Sequence, residues 1–178
     1  PADAPVRGGV TPAEPDRWVR VSLGAVRRNI AGFVRLVDPA RVMAVVKADA
    51  YGHGAVQVAT AALAGGATWL GVAHIGEALP LRRAGIDAPI LAWLHTPRSD
   101  FVAAVAAQVC LGISTPEELE LAAQAARLVG RAAVVHLKVD TGLGRNGATA
   151  LTWQRLVAQA SARQEAGEVV VDGVFSHL

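Results

Sequence analysis

Three segments of this 178-residue chain combine residue types and spacings that could do chemistry. The first, VVKADAYGHGA at residues 45–55, ends an apolar run on Lys47. Lysine is seldom buried unless it is paired or in use. A free lysine amine, with a pKa of about 10.4, is mostly protonated at neutral pH. Loss of water or a neighbouring cation favours the neutral amine, which can attack a carbonyl carbon and form a Schiff base. A strand end would hold such an amine on a rigid support, and Gly52 and Gly54 allow a tight turn beyond it. Pattern alone favours a plainer reading, a lysine that snorkels to solvent.

The second segment, KVDTGLGRNG at residues 138–147, contains a literal G-x-G-x-x-G in Gly142, Gly144 and Gly147. It lies between an expected strand and an expected helix, so a dinucleotide-binding fingerprint has to be weighed. Three features count against it. Asp140 and Thr141 separate the strand from the first glycine, and Arg145 sits inside the motif. His136 and Lys138 also share one face of their strand, since side chains alternate with period two, and that face is too polar for a nucleotide fold's core. The plainer reading is a glycine-rich turn that carries Arg145 over the strand ends. The third segment, VDGVFSHL at residues 171–178, brings His177 to the end of another apolar run. No H-E-x-x-H, C-x-x-C, G-x-S-x-G or Walker pattern is present, and no metal is expected.

The elements that position these groups alternate. Short apolar, β-branched runs at residues 42–47, 69–73, 89–93, 109–113, 133–139 and 171–176 read as strands covered on both faces. An earlier strand is expected over 18–23. Helical periods fill the gaps. Val26, Ile30, Phe33 and Val37 mark one helix, residues 55–63 another, and Trp153, Leu156, Val157 and Ala160 a later one. A helix around 77–84 must take Pro80 in its first turns. The clearest helix follows Thr115, an N-cap with Pro116 at the first helical position, Glu118 completing a capping box and Gly130 as the stop.

Strand–helix alternation implies a parallel sheet of βαβ units. Lys47, His74, His95 and His177 each fall at or just past the end of an expected strand. In a (β/α)8 barrel those ends converge on one face, whereas an open sheet binds ligands mainly at one switch point. The α/β class with a TIM-type (β/α)8 barrel is therefore the expectation, although any one of the three histidines could equally be a solvated loop residue. A whole barrel needs eight strands and about 250 residues. An incomplete N-terminal portion with six strands would leave two unpaired edges.

Composition narrows the classes. Hydrophobic residues make up 52% and charged ones 18%, which excludes a solvated disordered chain. Residues 1–16, with four prolines, read as a flexible tail rather than a secretory signal, and no apolar run reaches the length of a membrane span. With a net charge of +2, no Lys/Arg run and 4% aromatics, nucleic acid is not an expected partner. The lone Cys110, in an apolar run, reads as an inert buried thiol and fits a reducing, cytoplasmic setting.

Taken together, VVKADAYGHGA resembles the cofactor-lysine signature of alanine racemases. KVDTGLGRNG and GVFSHL resemble two further blocks of that family, in the same order, and the connecting WLGVAHIGEALPLRRAGIDAPILAWLH is similar as well. The resemblance covers residues 18–178. It implies that Lys47 holds pyridoxal 5'-phosphate and moves the substrate Cα proton, that Tyr51 binds the cofactor phosphate, and that Arg145 hydrogen-bonds the phenolic oxygen of the ring. It further implies that Lys138 is carbamylated and orients Arg145, that His177 lies against the pyridine ring, and that Trp93 lines the pocket.

By the same resemblance residues 17–178 form part of a pyridoxal-phosphate-binding barrel. The rest of the barrel and a C-terminal β domain, which holds the second base and joins a homodimer, lie outside this sequence. The strand at 18–23 is then expected to pair with that domain. The implied activity is interconversion of L- and D-alanine, supplying D-alanine for peptidoglycan. A non-catalytic pyridoxal-phosphate-binding barrel is the alternative, but such proteins keep a whole barrel and their lysine blocks do not read ADAYGHGA.

Overall fold

Alternating apolar and helix-capping signals resolve into thirteen elements in the computed structural model, which describes residues 19–177. They run α1 (Leu23–Val37), β1 (Met43–Val45), α2 (Lys47–Gly52), α3 (Ala55–Ala64), β2 (Trp69–Val72), α4 (Ile75–Arg83), β3 (Ile90–Ala92), α5 (Phe101–Ala106), β4 (Cys110–Ile113), α6 (Pro116–Val129), β5 (Ala133–Lys138), α7 (Ala150–Glu165) and β6 (Val169–Phe175). All neighbouring strands pair in parallel, in the order β1-β2-β3-β4-β5-β6. This sequential order has no reversal, so the crevice that defines a doubly wound sheet is missing and the arrangement is barrel-like. Hydrogen bonds do not close it: β1 and β6 are the two edges of a six-stranded arc.

Each of the six expected strand runs holds a strand, with ends shifted by up to two residues. One shift matters for chemistry. β1 stops at Val45, so Lys47 opens the next element instead of ending the strand. The expected strand at 18–23 is not formed over its described residues. Residues 19–22 have no regular structure, and Ser22 instead caps α1, its Oγ accepting the Ala25 N–H at 3.3 Å. A strand needs a ladder partner, and none of the six described strands pairs with this segment. Trp18 and the expected tail at 1–16 lie outside the described residues.

α6 forms as its signals require. Thr115 Oγ1 accepts the Glu118 N–H at 3.1 Å, and Leu119, Ala122 and Ala126 are buried beneath the helix. α4 begins at Ile75, earlier than its apolar pattern suggested, and takes Pro80 inside the helix. α2 and α5 were not foreseen: each is six residues long, too short to show a helical period. No helix among the described residues is long and apolar enough to cross a membrane.

The pleat divides the strand residues between two environments. Leu70, Val72, Ile90, Ala92, Leu111, Ile113, Val135 and Leu137 are buried under the helices, each large one worth about 1.5–3 kcal/mol. Residues of opposite parity turn into the hollow of the arc. Close packing there depends on two glycines. A Cβ at Gly71 would stand 2.7 Å from the Trp93 ring, and one at Gly112 would stand 3.0 Å from Trp93 Cβ and 2.9 Å from Phe175. Trp93 thus lies across its neighbouring strands because they lack side chains there.

Candidate active site

The hollow contains a cavity of about 390 Å³ at the C-terminal ends of β1, β3, β5 and β6, within the usual range for small-molecule sites. Lys47, Tyr51, Trp93, Lys138, Phe175 and His177 are among its lining residues. A larger hollow of about 520 Å³ under α1 is apolar apart from Arg41 and brings no polar groups together, so it does not compete as a site of chemistry.

Lys47 is half-buried, and its Nζ lies 5.9 Å from the Tyr51 ring centroid. The backbone beyond it is unusual: residues 48–51 run at φ 52–54° and ψ 41–48°, a full left-handed turn without a glycine. Such a residue costs roughly 1–2 kcal/mol, so the turn must be held from outside. Ala50 N–H donates to the Val46 carbonyl at 2.9 Å, and Ala55 N–H donates to Asp49 Oδ1 at 2.6 Å. Ala48 N–H donates to Glu77 Oε1 at 2.8 Å. Glu77 Oε2 accepts the N–H groups of Ala73 at 2.8 Å and His74 at 3.0 Å. Burial pushes the Glu77 carboxyl up, but the N–H donors of His74, Ala48 and Ala73 outweigh it and hold the pKa below its usual value.

The glycine-rich turn after β5 carries the cations. Asp140 Oδ1 accepts the N–H groups of Gly142 and Gly144, each at 3.0 Å, and these donors keep its carboxyl acidic. Gly147, at φ 116°, passes so near β5 that a Cβ would meet Asp140 N at 2.8 Å. The fold so made delivers Arg145, whose Nη2 donates to His177 Nε2 at 2.8 Å. That nitrogen must be unprotonated, so the imidazole is neutral. Its pKa is lowered by desolvation and then by Arg145, Lys138 and Lys47. Thr141 and Ser176 hydroxyls tie the turn to the end of β6.

Lys138 is 2% exposed, and its Nζ donates to Asn146 Oδ1 and stands 5.5 Å from the Phe175 ring. Burial lowers its pKa, and the Arg145 charge lowers it further. Below it His136 Nε2 is 3.2 Å from Asp172 Oδ2. Among the described residues no carboxylate lines the cavity. Its walls are aromatic and apolar and its charges positive, which suits an aromatic anion.

Lys47, Tyr51, Trp93, Lys138 and His177 thus share one cavity, and Arg145 joins them through His177. His74 and His95, also at strand ends, do not line it. His74 precedes α4, with Nδ1 3.2 Å from the Leu94 carbonyl. The His95 ring packs against Phe101, with centroids 5.2 Å apart. Sequence reasoning overlooked Glu77 and Asn146. Glu77 had a visible signal, a glutamate at the third position of a helix, but its reach to Ala48 had none.

The family described as "Alanine racemase, N-terminal domain" matches residues 21–178. The alanine racemase of Beutenbergia cavernae is 52% identical over 158 residues, which cover 89% of this chain and 42% of that protein. That of Frankia casuarinae is also 52% identical, over 89% of this chain and 41% of its own length. The crystal structure of alanine racemase from D-cycloserine-producing Streptomyces lavendulae superposes with a TM-score of 0.86 at 46% identity, covering 88% of this chain and 41% of that one. The chain therefore spans about two-fifths of the length of these relatives. By the match over residues 21–178 and the identity of about half with these relatives, this chain belongs to the alanine racemase N-terminal domain family.

Proposed function

We propose that this chain binds pyridoxal 5'-phosphate at Lys47 and takes part in the interconversion of L- and D-alanine, in the cytoplasm and within a homodimer. The observation that carries this is the convergence of the Lys47 amine, the Arg145–His177 pair and Lys138 on one aromatic-walled cavity that, among the described residues, holds no carboxylate. The donor set fits the cofactor: an amine for its carbonyl carbon, cations for its anionic groups, and flat rings beside a flat ring.

Lys47 Nζ bonds the cofactor and, when free, moves the proton at the substrate Cα on one face. Tyr51 binds the phosphate. Arg145 holds the phenolic oxygen, and Lys138, carbamylated on its buried amine, orients Arg145. His177, neutral as an acceptor from Arg145, stands against the ring, and Trp93 walls the pocket and excludes water. When bound, the cofactor supplies the electron sink that stabilises negative charge at Cα. Racemisation needs proton transfer on both faces of a planar centre, and we assign the second base to a partner subunit.

The test incubates the purified chain with pyridoxal 5'-phosphate, fixes the product with borohydride and maps it by mass spectrometry. We expect one modified peptide bearing Lys47, lost in Lys47→Ala. A chain unmodified at Lys47 would overturn the proposal.

A further inference from the structure

We infer that Glu77 is a positioning residue for Lys47: by clamping the backbone N–H of Ala48 it holds the left-handed turn that aims the lysine into the cavity. This rests on the reading of Lys47 as the cofactor lysine. Four consecutive non-glycine residues, 48–51, at φ 52–54° are each disfavoured. A strained segment persists only where its surroundings over-determine it. On the turn side of Lys47 the very next residue is held from outside the turn, Ala48 N–H donating to Glu77 Oε1 at 2.8 Å across 29 positions of sequence.

The carboxylate joins two corners of the fold. Its other oxygen takes Ala73 N–H at 2.8 Å and His74 N–H at 3.0 Å, where β2 turns into α4. Three peptide donors meet one carboxylate, and hydrogen bonds to an ionised acceptor are roughly twice as strong as neutral ones. An ordinary capping box does not require this. Glu118, at the equivalent position of α6, turns its Oε2 to Ser114 N–H of its own corner at 2.6 Å. Glu77 performs that local task with one oxygen and spends the other on the residue after Lys47. Glu77 does not line the cavity, so its effect passes through the backbone.

A glutamine at this position keeps one acceptor oxygen and turns an NH2 toward peptide donors. If the oxygen stays with Ala73 and His74, Ala48 N–H faces a donor and the turn is released. The test compares wild type, Glu77→Gln and Thr115→Ala, which removes the α6 cap and touches neither corner. Amide hydrogen exchange is read at Ala48 and at core strand residues. The rate and pH profile of borohydride-fixed pyridoxal 5'-phosphate adduct at Lys47 are read alongside.

For Glu77→Gln we expect Ala48 exchange to rise about 10- to 100-fold, the size of one lost charged hydrogen bond. Core strand amides stay protected, and the Lys47 adduct forms more slowly with a displaced pH profile. Thr115→Ala leaves Ala48 exchange and the adduct rate as in wild type. Unchanged Ala48 protection together with an unchanged adduct rate in Glu77→Gln overturns the inference. If wild type itself forms no adduct at Lys47, the cofactor reading fails, while the exchange comparison still decides whether Glu77 holds the turn. Should Glu77→Gln not fold, Glu77→Asp keeps the charge but is one methylene shorter. It is expected to free Ala48 N–H while protecting Ala73 and His74, and protection of all three overturns the inference.

Discussion

Stability of this chain should depend on pH through His95. Both ring nitrogens of His95 are buried, with no hydrogen-bond partner of good geometry among the described residues, and the ring packs on Phe101 with centroids 5.2 Å apart. Burial lowers its pKa from 6.5 to about 4; the backbone of Ala92 and of Gly112 opposes the shift and the nearby His74 adds to it. As pH falls below 6.5 the unfolded chain takes up a proton on this histidine, while the folded chain does not until about pH 4. Folding stability is therefore complete above the upper value and declines across the window below it. At about 1.4 kcal/mol per pKa unit, the loss attributable to His95 is about 3 kcal/mol.

The assay is urea unfolding of wild type and His95→Leu at pH about 7.5, 5.5 and 4.5. Every other titrating group is common to both proteins, so the difference between their unfolding free energies isolates His95. Leucine fills the apolar site without a proton to gain. The wild type should lose about 2–3 kcal/mol relative to the variant between the highest and lowest pH. A difference that stays level across the three conditions would refute the argument that this ring is buried in its neutral form.

Two further outcomes follow from the end of β5 and the turn after it. Gly147→Ala adds a Cβ at φ 116°, 2.8 Å from Asp140 N. It should cost about 1–3 kcal/mol in urea unfolding and lower the yield of Lys47 adduct, because the turn that delivers Arg145 must shift. Lys138, 2% exposed with its pKa lowered by burial, has an enlarged neutral fraction able to add carbon dioxide. Carbon-13 bicarbonate should give a carbamate NMR signal that increases with pH as the amine deprotonates and is absent in Lys138→Met.

Much of the architecture was legible because burial imposes a period. Strands β2 to β5 are covered on both faces, and their continuous apolar runs placed them to within a residue. Thr115, Pro116, Glu118 and Gly130 defined α6 because cap chemistry is local. The strand at 18–23 is not formed over its described residues because Ser22 and Leu23 serve the start of α1, and a strand exists only beside a partner. α5, within residues 101–106, escaped notice because six residues carry less than two helical turns. Lys47, Tyr51, Arg145 and His177 were legible only as blocks resembling a family. Pattern alone left His74 and His95 on an equal footing with His177.

The sequence by itself determined that strands and helices alternate, where each of the six sheet strands lies to within two residues, and that a lysine, a glycine-rich arginine turn and a histidine fall at or just past strand ends. These follow from nearest-neighbour sterics, capping and the burial period, which act over a few residues. Tertiary structure alone decided which strand-end groups meet. Sequential parallel pairing brought Lys47, Lys138 and His177 into one hollow, and the buried ring contact with Phe101 withdrew His95 from it. It also decided that Lys47 lies beyond its strand, before a left-handed turn held by a carboxylate 29 residues away from Ala48. No local rule selects that turn, because its backbone is disfavoured at every residue and becomes the stable choice only when a distant acceptor satisfies it.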